Sequence, residues 1–99
     1  MTVRLSLNVN DSQIKTDYFV ASFIDHTVSG IIESLEGAGK IRDLNLTIDG
    51  DKVNVNLNGE LIPTNLFASK IIKSTVIGMI APLKGVAADV KKLTISIQK

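Results

Sequence analysis

Ninety-nine residues, 44% hydrophobic and 21% charged, suffice for one core without covalent staples. The absence of cysteine excludes disulfides, thiolate metal sites, iron–sulfur clusters and cysteine nucleophiles. A net charge of +1 supplies no global field for nucleic acid or anionic membrane. No apolar run approaches the ~20 residues of a membrane-spanning helix. The opening MTVRLSLNVN has neither the cationic nor the apolar part of a leader. The expectation is a cytoplasmic chain with no nucleic-acid partner, no membrane partner and no cofactor.

In chain order, the run VRLSLNV at 3–9 alternates apolar and polar side chains, the period of a half-buried strand. Asn10-Asp-Ser12 and Asn45-Leu-Thr47 match the glycosylation pattern, which only a secreted eukaryotic chain would use. A helix is predicted over 17–36, with Thr16 as N-cap, Asp17 adding favourable charge to the first turn and Gly37 ending it. A strand follows at 44–48, a hairpin turn at Asp49-Gly-Asp51, and a strand at 53–57. Asn58-Gly59 marks another tight turn. Thr64 can cap a second helix that Gly85 ends, and Pro82 should bend or tighten its last turn. A strand at 93–97 completes the chain order.

Shifted by 48 positions, the sequence matches itself. Asn8/Asn56, Asn10/Asn58, Ile14/Ile62, Thr16/Thr64, Phe19/Phe67, Ile24/Ile72, Thr27/Thr75, Val28/Val76, Gly30/Gly78, Ile32/Ile80, Leu35/Leu83 and Gly37/Gly85 are identical. Chance would supply about two or three such pairs. The reading is an internal duplication, residues 1–49 and 50–99, within a single domain over 1–99. The order β-α-β, β-α-β fits a ferredoxin-like βαββαβ sandwich: four antiparallel strands with two helices on one face, about a pseudo-two-fold axis. The alternative is two open halves that swap strands between protomers.

On a helical wheel Val20, Ile24, Val28, Ile31 and Leu35 form a sheet-facing stripe. Phe19, Phe23, Thr27, Gly30 and Ser34 form a second one, matched by Phe67, Ile71, Thr75, Gly78 and Pro82. A helical glycine costs about 1 kcal/mol relative to alanine. The expectation is that Gly30 and Gly78 let the two helices approach below the usual ~8–10 Å.

The halves differ in charge. Residues 1–49 hold four Lys/Arg and seven Asp/Glu, a net of −3; residues 50–99 hold seven and three, a net of +4. On the second helix Leu66, Ile77 and Ala81, rimmed by Lys70 and Lys73, mark a candidate partner surface. The face of the sheet away from the helices should carry Arg4, Ser6, Asn8, Asn45, Thr47, Lys52, Asn54, Asn56, Thr94 and Ser96. It lacks the aromatics of a single-strand nucleic-acid platform. It could offer a polar ligand Arg4, Asn8 and Asn56.

Catalytic and metal signals are absent. His26 is the only histidine and has no second ligand to complete a metal site. The run EGAGK at 36–40 follows a helix and lacks the full phosphate-loop pattern, and Asp49-Gly-Asp51 falls short of a calcium loop.

The segment NGELIPTNLFASKIIKSTVIGMIAPLKGV at 58–86 resembles a motif of small uncharacterised prokaryotic proteins, many archaeal. The matching positions are Asn58, Gly59, Ile62, Pro63, Asn65, Phe67, Thr75, Gly78, Met79, Leu83, Lys84 and Gly85. The first half departs from it at Lys15, Asp17 and Ile31. The resemblance implies a prokaryotic, cytoplasmic source and no particular activity. The functional expectation is a non-catalytic protein-interaction module that forms a homo-oligomer or takes a small protein partner. A small polar-ligand binder using the open sheet face is the alternative.

Overall fold

The structure is a computed structural model that describes residues 4–35, 40–86 and 89–99. Its elements are β1 (Arg4–Val9), β2 (Ser12–Ile14), α1 (Tyr18–Glu33), β3 (Asp43–Asp49), β4 (Lys52–Leu57), β5 (Glu60–Ile62), α2 (Leu66–Ile80) and β6 (Lys92–Gln98). The strands form one sheet in the order β2-β1-β6-β3-β4-β5, and every pairing is antiparallel. This α+β architecture corrects the expected four-stranded ferredoxin-like sheet: the described residues form six strands, and β6 and β3 hold the centre.

The two added strands come from tight turns. Asn10 and Asp11 have φ of 49° and 67°, and Asn58 and Gly59 have φ of 53° and 86°. Two consecutive left-handed residues make the hairpin turn whose twist matches that of its strands. Each turn folds three residues back onto the strand before it, pairing Val9 with Ser12 and Leu57 with Glu60.

Asn10 and Asn58 do more than turn the chain. Asn58 Oδ1 accepts from the backbone of Arg42 and Asp43 at 2.9 Å each, and its Nδ2 donates to the Lys40 carbonyl at 2.6 Å. Asn10 Oδ1 accepts from Lys91 at 2.8 Å and Lys92 at 3.0 Å, and its Nδ2 donates to the Asp89 carbonyl at 2.9 Å. Each asparagine therefore pins the chain entering a central strand, β3 or β6. A glycan on Asn10 Nδ2 would compete with its bond to the Asp89 carbonyl.

Alternation sets the register. Leu7, Val9, Leu44, Leu46, Ile48, Val55, Leu57, Leu93, Ile95 and Ile97 are buried on the helix-facing side of the sheet. A one-residue slip would turn a strand's whole set to solvent. Ile24, Val28 and Ile32 of α1 and Ile72, Val76 and Ile80 of α2 cover them. Each such side chain contributes roughly 1.5–3 kcal/mol relative to exposure.

The helices begin one residue later than Thr16 and Thr64 suggested. Asp17 and Asn65 are the N-caps, accepting from Val20 N at 2.8 Å and Ala68 N at 2.7 Å. Helix α2 stops at Ile80, so Pro82 ends it without kinking it; Gly85, at φ 87°, lies in the turn beyond. Gly37 and residues 36–39 of the EGAGK run lie outside the described residues.

The expected close approach of the helices is overturned. Gly30 and Gly78 are exposed, and a Cβ built on either meets nothing within 4 Å. The stripe that carries them lies about 140° around each helix from the centre of its buried stripe, because residues advance about 100° each. It therefore faces solvent and not the neighbouring helix.

Candidate interaction surface

The apolar stripes that the sheet does not cover form the most distinctive surface of the molecule. Among the described residues seven large apolar side chains are exposed, and six of them, Tyr18, Phe19, Phe23, Leu66, Phe67 and Ile71, are on the helices. Their exposure runs from 45% for Ile71 to 90% for Tyr18. The seventh, Leu61, is on β5. Phe19 and Phe23 lie one turn apart with ring centroids 6.1 Å from each other, within the favourable range for an aromatic pair.

Two open depressions run along these helices. One, of about 470 Å³, is lined on α1 by Tyr18, Phe19, Ser22, Phe23, His26 and Thr27. The other, of about 580 Å³, is lined by Asp51, Lys70, Lys73, Ser74, Ile77 and Gly78. The partner residues expected from the sequence divide accordingly. Lys70, Lys73 and Ile77 share the second depression, while Leu66 and Ala81 are exposed outside it. Ile77 is half-buried and packs against the core.

Charge is partly committed within the chain. Lys73 Nζ donates to Asp51 Oδ1 at 2.8 Å. That hydrogen bond and the Lys73 charge hold the Asp51 carboxyl below its ordinary range, with a smaller contribution from the Lys70 charge. Position 25, the counterpart of 73, holds the opposite sign. Asp25 is buried and lies 3.4 Å from Lys99 Nζ. Ser29 Oγ donates to Asp25 Oδ1 at 3.1 Å, and Lys99 Nζ donates to Ser29 Oγ at 3.2 Å. Each helix is thus tied by an ion pair, with polarity reversed between the halves. Glu33 and Lys70 are exposed and form no ion pair among the described residues.

Tyr18, Phe19 and Phe23 were not singled out from the sequence as contact residues; the stripe of Phe19 and Phe23 was assigned to a seam between the helices. The available signal was its angular distance from the buried stripe.

The polar sheet face does not gather its three expected ligand contacts. Arg4 and Asn8 are four residues apart on β1, about 13 Å along an extended strand. Asn56 lies on β4, three strands away, about 14 Å across the sheet. Asn8 borders a shallow depression with Asp11, Lys92 and Thr94; Arg4 borders another with Leu5, Ser6, Ser96 and Gln98. On this face Ser96 Oγ donates to Asn45 Oδ1 at 2.6 Å.

His26 is tied to its own helix. Its Nδ1 donates to the Ser22 carbonyl at 2.9 Å, and Ser22 Oγ is 3.3 Å away. Among the described residues no group of three or more His, Asp or Glu could hold a metal ion, and no helix is long and apolar enough to cross a membrane. Comparison with family models, curated proteins and solved structures returns no match.

Proposed function

We propose that this chain is a non-catalytic protein-interaction module that associates with itself through the solvent side of its two helices. The observation that carries this reading is the concentration of exposed apolar residues there. On a flat antiparallel sheet with one covered face, the outer helix surface is normally polar. Here it holds three aromatic residues on α1 and Leu66, Phe67 and Ile71 on α2. We read the two halves as products of one duplication. On that reading, Phe19/Phe67 and Gly30/Gly78 are kept at positions exposed to solvent. Large exposed apolar patches mark contact sites in soluble proteins.

The test is the mass in solution. Light scattering on a sizing column at two concentrations should give a species of twice 10.7 kDa that dissociates on dilution. A mass of 10.7 kDa throughout the micromolar range would remove self-association from this reading.

A further inference from the structure

We infer that the partner on the helical layer is a second copy docked about a two-fold axis, with α1 of each protomer antiparallel on α2 of the other. This rests on the self-association reading above and specifies how the surfaces mate.

Register argues for antiparallel docking. Phe23 precedes Gly30 by seven residues, and Ile71 precedes Gly78 by the same number, about 10 Å of helix. When α1 is laid antiparallel on α2, one register sets Phe23 opposite Gly78 and Ile71 opposite Gly30. The same register brings Phe19 to Pro82 and Phe67 to Ser34. The glycines are open notches, since the space where a Cβ would project is empty to 4 Å. Large side chains entering them would let helices of two protomers approach as the helices within one protomer do not.

Charge argues for α1 against α2. In this register Glu33 and Lys70 come within two residues of the same level, about 3 Å along the axis. Both are exposed, and a two-fold axis makes the pair twice. The competing two-fold sets α1 on α1 and α2 on α2. It seats large residues in the same notches but puts Glu33 level with Val20 and Lys70 level with Met79, where neither meets an opposite charge. On the docked stripes Phe19, Phe23, Phe67 and Ile71 offer about 450 Å², at roughly 150–250 Å² for each whole aromatic, against the ~800 Å² per partner that a stable complex needs, so the polar flanks supply the rest.

The experiment uses charge exchange in the full chain, with dimer dissociation followed by sedimentation. Lys70→Glu alone and Glu33→Lys alone should each weaken the homodimer about five- to tenfold, because each sets like charges together twice. An equimolar mixture of the two variants should recover wild-type affinity as a heterodimer. Single variants with unchanged affinity, or a mixture that fails to recover, would overturn the α1-on-α2 arrangement while leaving self-association standing. A wild-type chain that stays monomeric would instead remove the reading on which the arrangement rests. Circular dichroism melting of each variant at monomeric dilution should match wild type, which separates a lost contact from a lost fold.

Discussion

One asparagine side chain, Asn58, holds three backbone groups of the chain leading into β3, and Asn10 does the same for β6. Alanine at either position leaves those groups without their partner and keeps a non-glycine residue at positive φ. We expect Asn58→Ala and Asn10→Ala each to lose about 1–3 kcal/mol, read as a lower urea midpoint with unchanged slope. The residues were visible in the sequence as an identical pair; their bonds were not, since the carbonyls and amides they meet are 15 to 82 positions away. Asp51 offers a second test at this scale. Its folded carboxyl titrates below the ordinary 3.8 because Lys73 donates to it and both lysines are positive nearby. The pair's contribution is present above the unfolded value and is lost as pH falls through the lowered folded one. Carboxyl chemical shifts should place the Asp51 midpoint below 3.8, and Lys73→Ala should move it upward.

For a helix, the wheel supplied the buried side. Ile24 and Val28 face the sheet as their spacing requires, while Ile32 is buried more deeply than the expected Val20, Ile31 and Leu35. It could not supply the distance to the next helix, so Phe19, Phe23 and Gly30 were assigned to a seam when they face solvent. The caps shifted for a related reason. Thr16 and Asp17 are both good N-caps, and only the backbone course selects Asp17. The glycines now have a two-sided consequence. At monomeric dilution Gly30→Ala and Gly78→Ala should each stabilise the fold by up to about 1 kcal/mol, because the methyl group meets no obstacle and the unfolded chain loses freedom. In the proposed dimer the same methyl groups would fill the notches, so on that arrangement the melting temperature should rise in dilute solution while self-association weakens.

At the scale of the molecule, four strands were legible because at least five residues alternated in each. Strands β2 and β5 have three residues apiece, too few for a period to show. Strand order was beyond the pattern altogether, since alternation reports which face is buried and not which neighbour is paired. Of the contact residues expected from the sequence, Leu66, Lys70 and Ala81 are exposed, Lys73 is paired with Asp51 and Ile77 is half-buried, whereas the aromatic group on α1 emerged only with its exposure.

The central place of β6 governs how the chain assembles. Strand β1 has β2 on one side and β6 on the other, while β3 lies between β6 and β4. On a ribosome, the two hairpins β1–β2 and β3–β4 can each form as they emerge, but a slot one strand wide separates them until residues 92–98 arrive. Closing it joins positions almost a full chain length apart, the type of contact that slows folding. During that interval the facing edges of β1 and β3 have no partner, and the equivalent of β6 from a second chain would fit the slot as well as the chain's own.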